Sequence, residues 1–355
     1  MGDSKGETKT LYRAVVHGAA ELPAVFIESY SEDIKDKDRY FGERVSNGAF
    51  RELFERLRQQ LREADADPLD GETDALNKKV IDKLLLEGKP EQAGLILSAI
   101  EEFANNLAKA AHSLLRLKSW ADVSRIVVGG GFRESRVGEL VVGRAGVLLK
   151  AKHPEVDIQP IRFHPDEAGL LGCAHLAPSW IFKGHDCLIA VDIGGSNFRC
   201  GLVELNLEKS PTLAAATVLK SRLWRHADEE PDRESATRTL GKMIDDLLEY
   251  GSKKNKRIAP FIGMGCPGTV LEDGKLKGGI LNLPGNWGAK NFNLVDRVRE
   301  MIPTIDKQDT IVALHNDAVV QGLSELPFMQ DAPKWAVLTI GTGLGNACFR
   351  NKTNG

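Results

Sequence analysis

The chain lacks the marks of several large protein classes. Its five cysteines, Cys173, Cys187, Cys200, Cys266 and Cys348, are scattered, with no C-x-x-C pair and no histidine at metal-ligand spacing. That argues against a disulfide scaffold and predicts reduced thiols, buried as small apolar groups in a cytoplasmic protein. No apolar run approaches the roughly 18 residues needed to span a bilayer. A soluble chain is expected. The opening MGDSKGETKT fits neither a secretory signal nor a transit peptide and has Gly6 where a myristoylation signal needs Ser or Thr. It reads as a disordered tail. The net charge of -3 supplies no basic field, so neither nucleic acid nor a membrane is the expected partner. A small molecule is, and a homo-oligomer is allowed.

Two common phosphate fingerprints are also missing. GGGFRE has Glu134 and GTGLGN has Asn346 in the last place of G-x-G-x-x-G, and Gly241-Lys242 is followed by Met243 where a P-loop needs Ser or Thr. A dinucleotide-dependent dehydrogenase therefore lacks its signature.

What is present is an ordinary soluble composition, with 355 residues, 42% hydrophobic and 27% charged, enough for one large or two ordinary domains. TLYRAVV and LPAVFIESY read as strands and FRELFERLRQQLREA as an amphipathic helix, followed by the loop DADPLDGETDALNKK. From Glu91 a long core helix is expected, its stripe formed by Leu97, Ile100, Phe103, Leu107, Ala111 and Leu114, with His112 on a helix face. SRIVVGGGFRES is a strand running into a glycine turn, with a helix from about Glu134. VDIQPIRF is a strand, and PDEAGLLGCAHLA a helix of small residues able to pack closely. LIAVDIGGSNFRCGLVEL, Leu188 to Leu205, then reads as strand, glycine turn and strand. A long helix (ESATRTLGKMIDDLLEY) follows, then the strand APFIGMGCPG, a turn, a helix, the strand TIVALHND, the helix AVVQGLSE and the strand KWAVLTIG. Strands alternating with helices make the class α/β.

Three glycine turns end apolar strands: Gly129-Gly130-Gly131, Gly194-Gly195 and Gly341-Thr342-Gly343. Glycine lets backbone N–H groups approach a phosphate closely, although any one of these could be a plain tight turn. DIGGSNFR adds Asp192, Ser196, Asn197 and Arg199, and an Asp beside such a turn can hold a hydrated Mg2+; alternatively Asp192 and Ser196 stabilise the turn. Asn316 and Asp317 end a strand just before a helix. Asp317 could cap that helix, and a carboxylate held ionised by the helix dipole could also accept a hydroxyl proton. Phosphoryl transfer asks only for a weak, well-placed base.

Taken in order, DIGGSNFR, GCPGTV, NLPGNW, HNDA and TIGTGLGN resemble the motifs of the ROK family and of bacterial glucokinases in the actin and hexokinase superfamily. The resemblance implies two ribonuclease-H-like domains around a cleft and an ATP-dependent sugar kinase. IVVGGGF and AGLLGCAHLA look like the family's ending, yet they precede its beginning, which implies a circular permutation joined near SWIFKGHD. The division expected is a larger domain of 1–164 plus 331–355 and a smaller one of 165–330.

Carried over by motif, Asp192 (to Mg2+ through water), Gly194, Gly195 and Ser196 would face the ATP phosphates, with Gly341, Thr342 and Gly343 closing from the other domain. Gly129, Gly130 and Gly131 would border the adenosine. Asp317 would be the base and Asn316 a sugar ligand, with Cys266, Pro267, Gly268, Asn282 and Gly285 as the sugar-side wall. Cys266 would not be a nucleophile. Glu43 in FGERVSNGAF weakly resembles a family sugar-binding Glu. The family's G-E-I-G-H segment is absent, HGAAELP (His17 to Pro23) being a poor substitute, and so is its cysteine-rich zinc motif. The implied substrate is an aldohexose phosphorylated on its 6-hydroxyl, or an N-acetylated hexosamine. The rival is a sugar-sensing regulator without turnover, against which stands the lack of a helix-turn-helix module.

Overall fold

The structure, a computed structural model, describes residues 16–36, 38–280 and 282–352. It is a mixed α/β protein with two five-stranded sheets. By contacts the chain divides into one unit of 16–31, 166–333 and 349–352 and another of 32–165 and 334–348. The sequence-based division had instead grouped all of 1–164 with 331–355.

In the first unit, β4 (Cys187–Ile193), β5 (Phe198–Glu204), β6 (Thr217–Trp224), β7 (Ile258–Cys266) and β8 (Ile311–Asn316) stand in the order β8-β7-β4-β5-β6. β8 and β4 flank β7 in parallel, while β4, β5 and β6 form an antiparallel meander. The parallel trio is buried along its whole length, as expected of strands covered on both faces. β6, absent from the sequence reading, is an edge strand that alternates exposed and half-buried residues.

α5 (Pro165–Gly172) and α8 (Asp317–Leu323) lie together against this trio, and small residues make that possible. A Cβ on Gly172 would stand 1.7 Å from Val320 O, and one on Gly169 would stand 2.7 Å from the Asp192 carboxyl carbon. The close-packing helix expected from PDEAGLLGCAHLA is therefore real, although it gives way to a 3-10 turn at Cys173. α6 (Arg233–Lys253), capped by Asp232 accepting from Ser235 N–H, and α7 (Leu294–Met301), capped by Asn293, contribute to the core beneath β4, β5 and β7.

In the second unit, the sheet order is β1-β10-β9-β2-β3, from β1 (Val25–Tyr30), β2 (Arg125–Gly129), β3 (Asp157–Pro160), β9 (Lys334–Ile340) and β10 (Leu344–Asn351). β1 and the end of β10 fall in the first unit by contacts. β9, β2 and β3 run parallel. The expected strand TLYRAVV lies outside the described residues except for Val16, and β10 runs on through Phe349 to Asn351. α1 (Asn47–Arg62), α2 (Lys78–Glu87), α3 (Pro90–Leu115) and α4 (Arg136–Lys150) build a core with β2 and β9 in which Phe50, Phe103 and Phe132 meet at centroid distances of 4.9–5.4 Å.

Proline at its first position starts α3 where its missing N–H costs nothing. The buried stripe runs through Ile96, Ile100, Phe103, Leu107, Ala111 and Leu114. Leu97, expected in it, is 50% exposed. The i, i+4 rows place Ile96 and not Leu97 above Ile100. α2 overlaps the expected loop only at Lys78 and Lys79 and is otherwise absent from the sequence reading; it has no fully buried residue and owes its start to the Asn77 cap. Among the described residues, no helix is long and apolar enough to cross a membrane.

Candidate active site

The parallel trio of the first unit sets the site. In register, Asp192 of β4 lies opposite Gly265 of β7, and Cys266 opposite Asn316 of β8. Three neighbouring carboxyl ends therefore present Asp192, Cys266 and the Asn316-Asp317 pair across roughly 10 Å, two strand spacings. α8 sits close over β7 at Gly265, where a Cβ would stand 3.3 Å from Val320 Cβ, a tight contact.

Asp192 is 3% exposed. Burial pushes its carboxyl above the ordinary range; the Arg199 guanidinium, 3.6 Å away, pulls it back, and Asp166 raises it further. Arg199 also donates from Nε to Asp166 at 2.6 Å, so one cation serves two carboxylates. After Asp192 the chain turns through Gly194, Gly195 and Ser196, closed by Gly194 N–H to Asn197 O at 2.8 Å. His226, buried and missed in the sequence, meets Gly194 O through Nε2 at 3.0 Å, and Ala227 N–H reaches Ser196 O. Beneath the turn, Phe198 packs edge-on against Trp224 and Trp287. Trp287 donates to Pro284 O at 2.7 Å and so ties the NLPGNW turn to the same aromatic cluster. In that turn Gly285 has φ +77 and abuts Arg233, while Asn282 is exposed.

Asn316, not Asp317, caps α8: its Oδ1 accepts from Ala318 and Val319 N–H at 3.0 and 3.3 Å. Its Nδ2 donates to Gly268 O at 3.0 Å and Ser31 Oγ at 3.2 Å. The amide is thereby fixed at both ends. Gly268, following Pro267, has φ +91. Asp317 is half-buried, and its carboxyl is raised to about 7, by burial first and by the Asp192 charge second, against the pull of Ala318 N–H. The expectation that the helix dipole holds it ionised is thus overturned. The seven-residue α8 is too short to outweigh burial. The Cys266 thiol is buried, and burial followed by the charges of Asp317 and Asp192 raises it well above its ordinary value. It remains a neutral wall.

The segment judged a poor substitute in the sequence reaches this site. Gly18 N–H donates to Leu314 O at 2.9 Å, Leu314 N–H to His17 Nδ1 at 3.3 Å, and His315 Nε2 to Ala19 O at 3.1 Å. His315 Nδ1 accepts from Asn316 N–H at 2.8 Å, which fixes its tautomer. Ser31 takes the left-handed φ of +53 rarely adopted outside glycine. No local periodicity signals contacts made across nearly the whole chain.

In the second unit, the other two glycine turns lie side by side. Gly129 pairs with Thr339 in parallel register, and Gly130, at φ +86, comes so near the end of β9 that a Cβ would meet Ile340 O at 2.3 Å. Gly341 N–H closes on Gly343 O, leaving Thr342 and Gly343 exposed. A cavity of about 110 Å³ sits beside them, lined by Phe50, Phe54, Leu76, Ile81, Phe132 and Val137 with Asn47, Lys78 and Ser135. Two of its polar members are tied to the turns: Asn47 N–H donates to Gly341 O at 2.9 Å, and Lys78 Nζ to Gly131 O. Glu43 is exposed in the same unit, its Oε1 accepting from Tyr40 N–H at 3.3 Å.

Among solved structures the chain is similar to a candidate sugar kinase from Cytophaga hutchinsonii, at 21% identity over 48% of this chain and 50% of that one, TM-score 0.35. It is also similar to a candidate N-acetylmannosamine kinase from Listeria monocytogenes, at 22% identity over 46% and 47%, TM-score 0.30. A third is an exopolyphosphatase from Cytophaga hutchinsonii, at 12% identity over 49% and 51%, TM-score 0.21. The chain covers about half the length of these proteins. No curated protein matches it. Residues 188–354 match the ROK family model. That stretch, a little under half of the chain, holds Asp192, Cys266, Asn316 and Asp317, and in it the chain is similar to the ROK family.

Proposed function

We propose that the protein is an ATP-dependent sugar kinase in which Asp317 takes the proton of a sugar hydroxyl as that oxygen attacks the γ-phosphorus of ATP. The observation that carries this reading is the Asp317 carboxyl, raised to about 7 at a strand end beside a second buried carboxylate. A general base works best with a pKa near the working pH, and proton transfer of this kind contributes roughly 10²–10⁴ in rate. The bond formed is sugar O–P, the bond broken is that between the γ-phosphorus and the β–γ bridging oxygen, and the proton passes to Asp317.

The residues fit Mg2+ and ATP. Asp192 is a buried carboxylate short of positive charge, which a hydrated Mg2+ would supply while neutralising the phosphates. Gly194, Gly195 and Ser196 would face those phosphates, with Gly341, Thr342 and Gly343. The apolar cavity next to Gly129, Gly130 and Gly131 suits a purine ring. Cys266, Pro267, Gly268, Asn282, Gly285 and the fixed Asn316 amide would line the sugar, an aldohexose such as glucose or an N-acetylated hexosamine. Glu43 is assigned to the sugar by motif alone.

The proposed permutation rests on topology. In the first sheet, strands laid down as β4, β5, β6, β7, β8 stand third, second, first, fourth, fifth. The second sheet has the same arrangement when β9 and β10 are taken before β1, β2 and β3. A two-domain division near 165 and 331 belongs to the same proposal.

The test is ADP release from Mg-ATP across hexoses and N-acetylhexosamines, with Asp317→Asn in parallel. Release that depends on one sugar class and drops at least a hundredfold in the variant supports the kinase. Sugar binding by calorimetry without release from any sugar would replace it with a sensor.

A further inference from the structure

The hydrogen bonds of Asn316 leave nothing of its amide for a ligand. Oδ1 has two lone pairs, and Ala318 and Val319 N–H engage both, which also settles which end of the amide is oxygen. Nδ2 has two hydrogens, and Gly268 O and Ser31 Oγ receive them at 3.0 and 3.2 Å. Asn316 therefore fixes the start of α8, but it cannot bind a sugar oxygen without breaking a bond it already has.

Ser31 is the member of this group with capacity to spare. Its Oγ carries one hydrogen and two lone pairs. One lone pair accepts from Asn316, and among the described residues the hydrogen has no acceptor. Accepting from Asn316 polarises the hydroxyl and makes its own proton a stronger donor. The residue is exposed. Ser31 is thus an open hydroxyl donor, one hydrogen bond removed from the residue that precedes Asp317.

Its backbone is held with the same care. Ser31 stands at φ +53, a left-handed region that Gly, Asn and Asp enter far more readily than Ser. Such a conformation lasts only where its surroundings impose it, and both chain neighbours are tied down. Before it, Tyr30 packs edge-on against the His315 ring, centroids 5.2 Å apart. After it, Glu32 N–H donates to Asn346 Oδ1, and Glu32 O accepts from Asn346 Nδ2, both at 3.0 Å. Glycine would relieve the strain here and give up the hydroxyl.

We propose that the Ser31 hydroxyl binds the sugar, donating to one of its hydroxyl oxygens or to an acetamido carbonyl, while Asn316 positions Ser31 and α8 without touching the sugar. The assignment rests on the reading of this strand end as a sugar site.

The test measures sugar binding to the full chain by calorimetry in the wild type, Ser31→Gly and Ser31→Ala, with ADP release from Mg-ATP in parallel. The sugars are glucose, its monodeoxy derivatives, N-acetylglucosamine and N-acetylmannosamine. Loss of one hydrogen bond should weaken binding of the favoured sugar roughly three- to tenfold in both variants, with Mg-ATP affinity within about twofold of the wild type. Ser31→Gly relieves the backbone strain, so it folds even where Ser31→Ala does not. In the glucose series, the one monodeoxy sugar that lacks the bonded oxygen should bind variants and wild type alike. An effect confined to the N-acetylated sugars would put the bond on the acetamido carbonyl. A loss by the same factor for every sugar would mean a structural role only and overturn the assignment. Unchanged sugar affinity in folded Ser31→Gly would overturn it too, as would a wild type that binds none of these sugars. Turnover separates this assignment from the kinase reading. Sugar binding that depends on Ser31 without ADP release removes the kinase and leaves Ser31 in place, whereas sugar-dependent ADP release indifferent to Ser31 does the reverse.

Discussion

Asp317 and Asp192 stand at the ends of two parallel strands with only β7 between them, and after burial the Asp192 charge is the largest influence raising Asp317 to about 7. Two carboxylates in one site with different surroundings can take different tasks. Asp192 has Arg199 at 3.6 Å and is suited to a cation; Asp317 is suited to a proton.

The pH dependence of kcat/KM follows from this difference. A base must be ionised to act, so the rate should rise with pH through a single ionisation near 7 and level off above it. A pH–rate profile of the wild type with saturating Mg-ATP checks this. An acid limb near 4 would show that the working base is another group.

The same raised pKa has a stability consequence. The folded state holds the Asp317 proton up to about 7, while the unfolded chain releases it near 3.8, so this group favours folding at low pH and loses that contribution as pH rises between the two values. Asp317→Asn removes the loss. It should be more stable than the wild type at pH 8, by on the order of 4 kcal/mol, and nearly equal to it at pH 4. Urea unfolding at both values gives the comparison, and a variant less stable at pH 8 would sink the argument.

Three histidines act in the opposite sense. Burial lowers His17, His175 and His315 from 6.5 to about 4 each. Below 6.5 the unfolded chain takes up protons that the folded chain refuses, so their contribution is complete above 6.5 and lost as pH falls towards 4. Together they should cost on the order of 10 kcal/mol across that window, more than Asp317 returns. Denaturation midpoints between pH 7 and 4.5 should fall steeply, and His315→Gln should flatten the slope. A flat profile in the wild type would contradict the buried neutral state of these rings.

Gly169→Ala separates the two carboxylates by experiment. The added methyl would stand 2.7 Å from the Asp192 carboxyl carbon and must displace that side chain. The expected result is a KM for Mg-ATP raised about tenfold or more, sugar affinity within about twofold, and a folded protein. Equal loss of both affinities would mean that the methyl disturbs the whole strand end.

Much of this was legible in the sequence because it is local. The turn after Asp192 and the apolar stripe of α3 each rest on neighbours a few positions away, and the small residues of α5 show in composition although their partners, Asp192 and Val320, are distant. What was missed is long-range or weakly patterned. β6 is half polar because only one face is covered, and α2 buries no residue fully, so neither carries a strong period. The pairing of Asn316 with Ser31, the bracing of Gly194 by His226 and the meeting of His112 with His153 depend on tertiary placement alone. The seating of His17 to Ala19 along β8 left no signal either, since its partners lie almost 300 positions away.

That last feature bears on how the protein is made. Leu314 meets His17 across 297 residues, and Asn316 meets Ser31 across 285. During synthesis the segment 17–31 emerges well before β8 and waits for it. Closing so long a loop is slow, and the waiting surface invites misassembly. The candidate active site is therefore the part of this unit that matures last, and acquisition of activity should lag behind formation of the central helices.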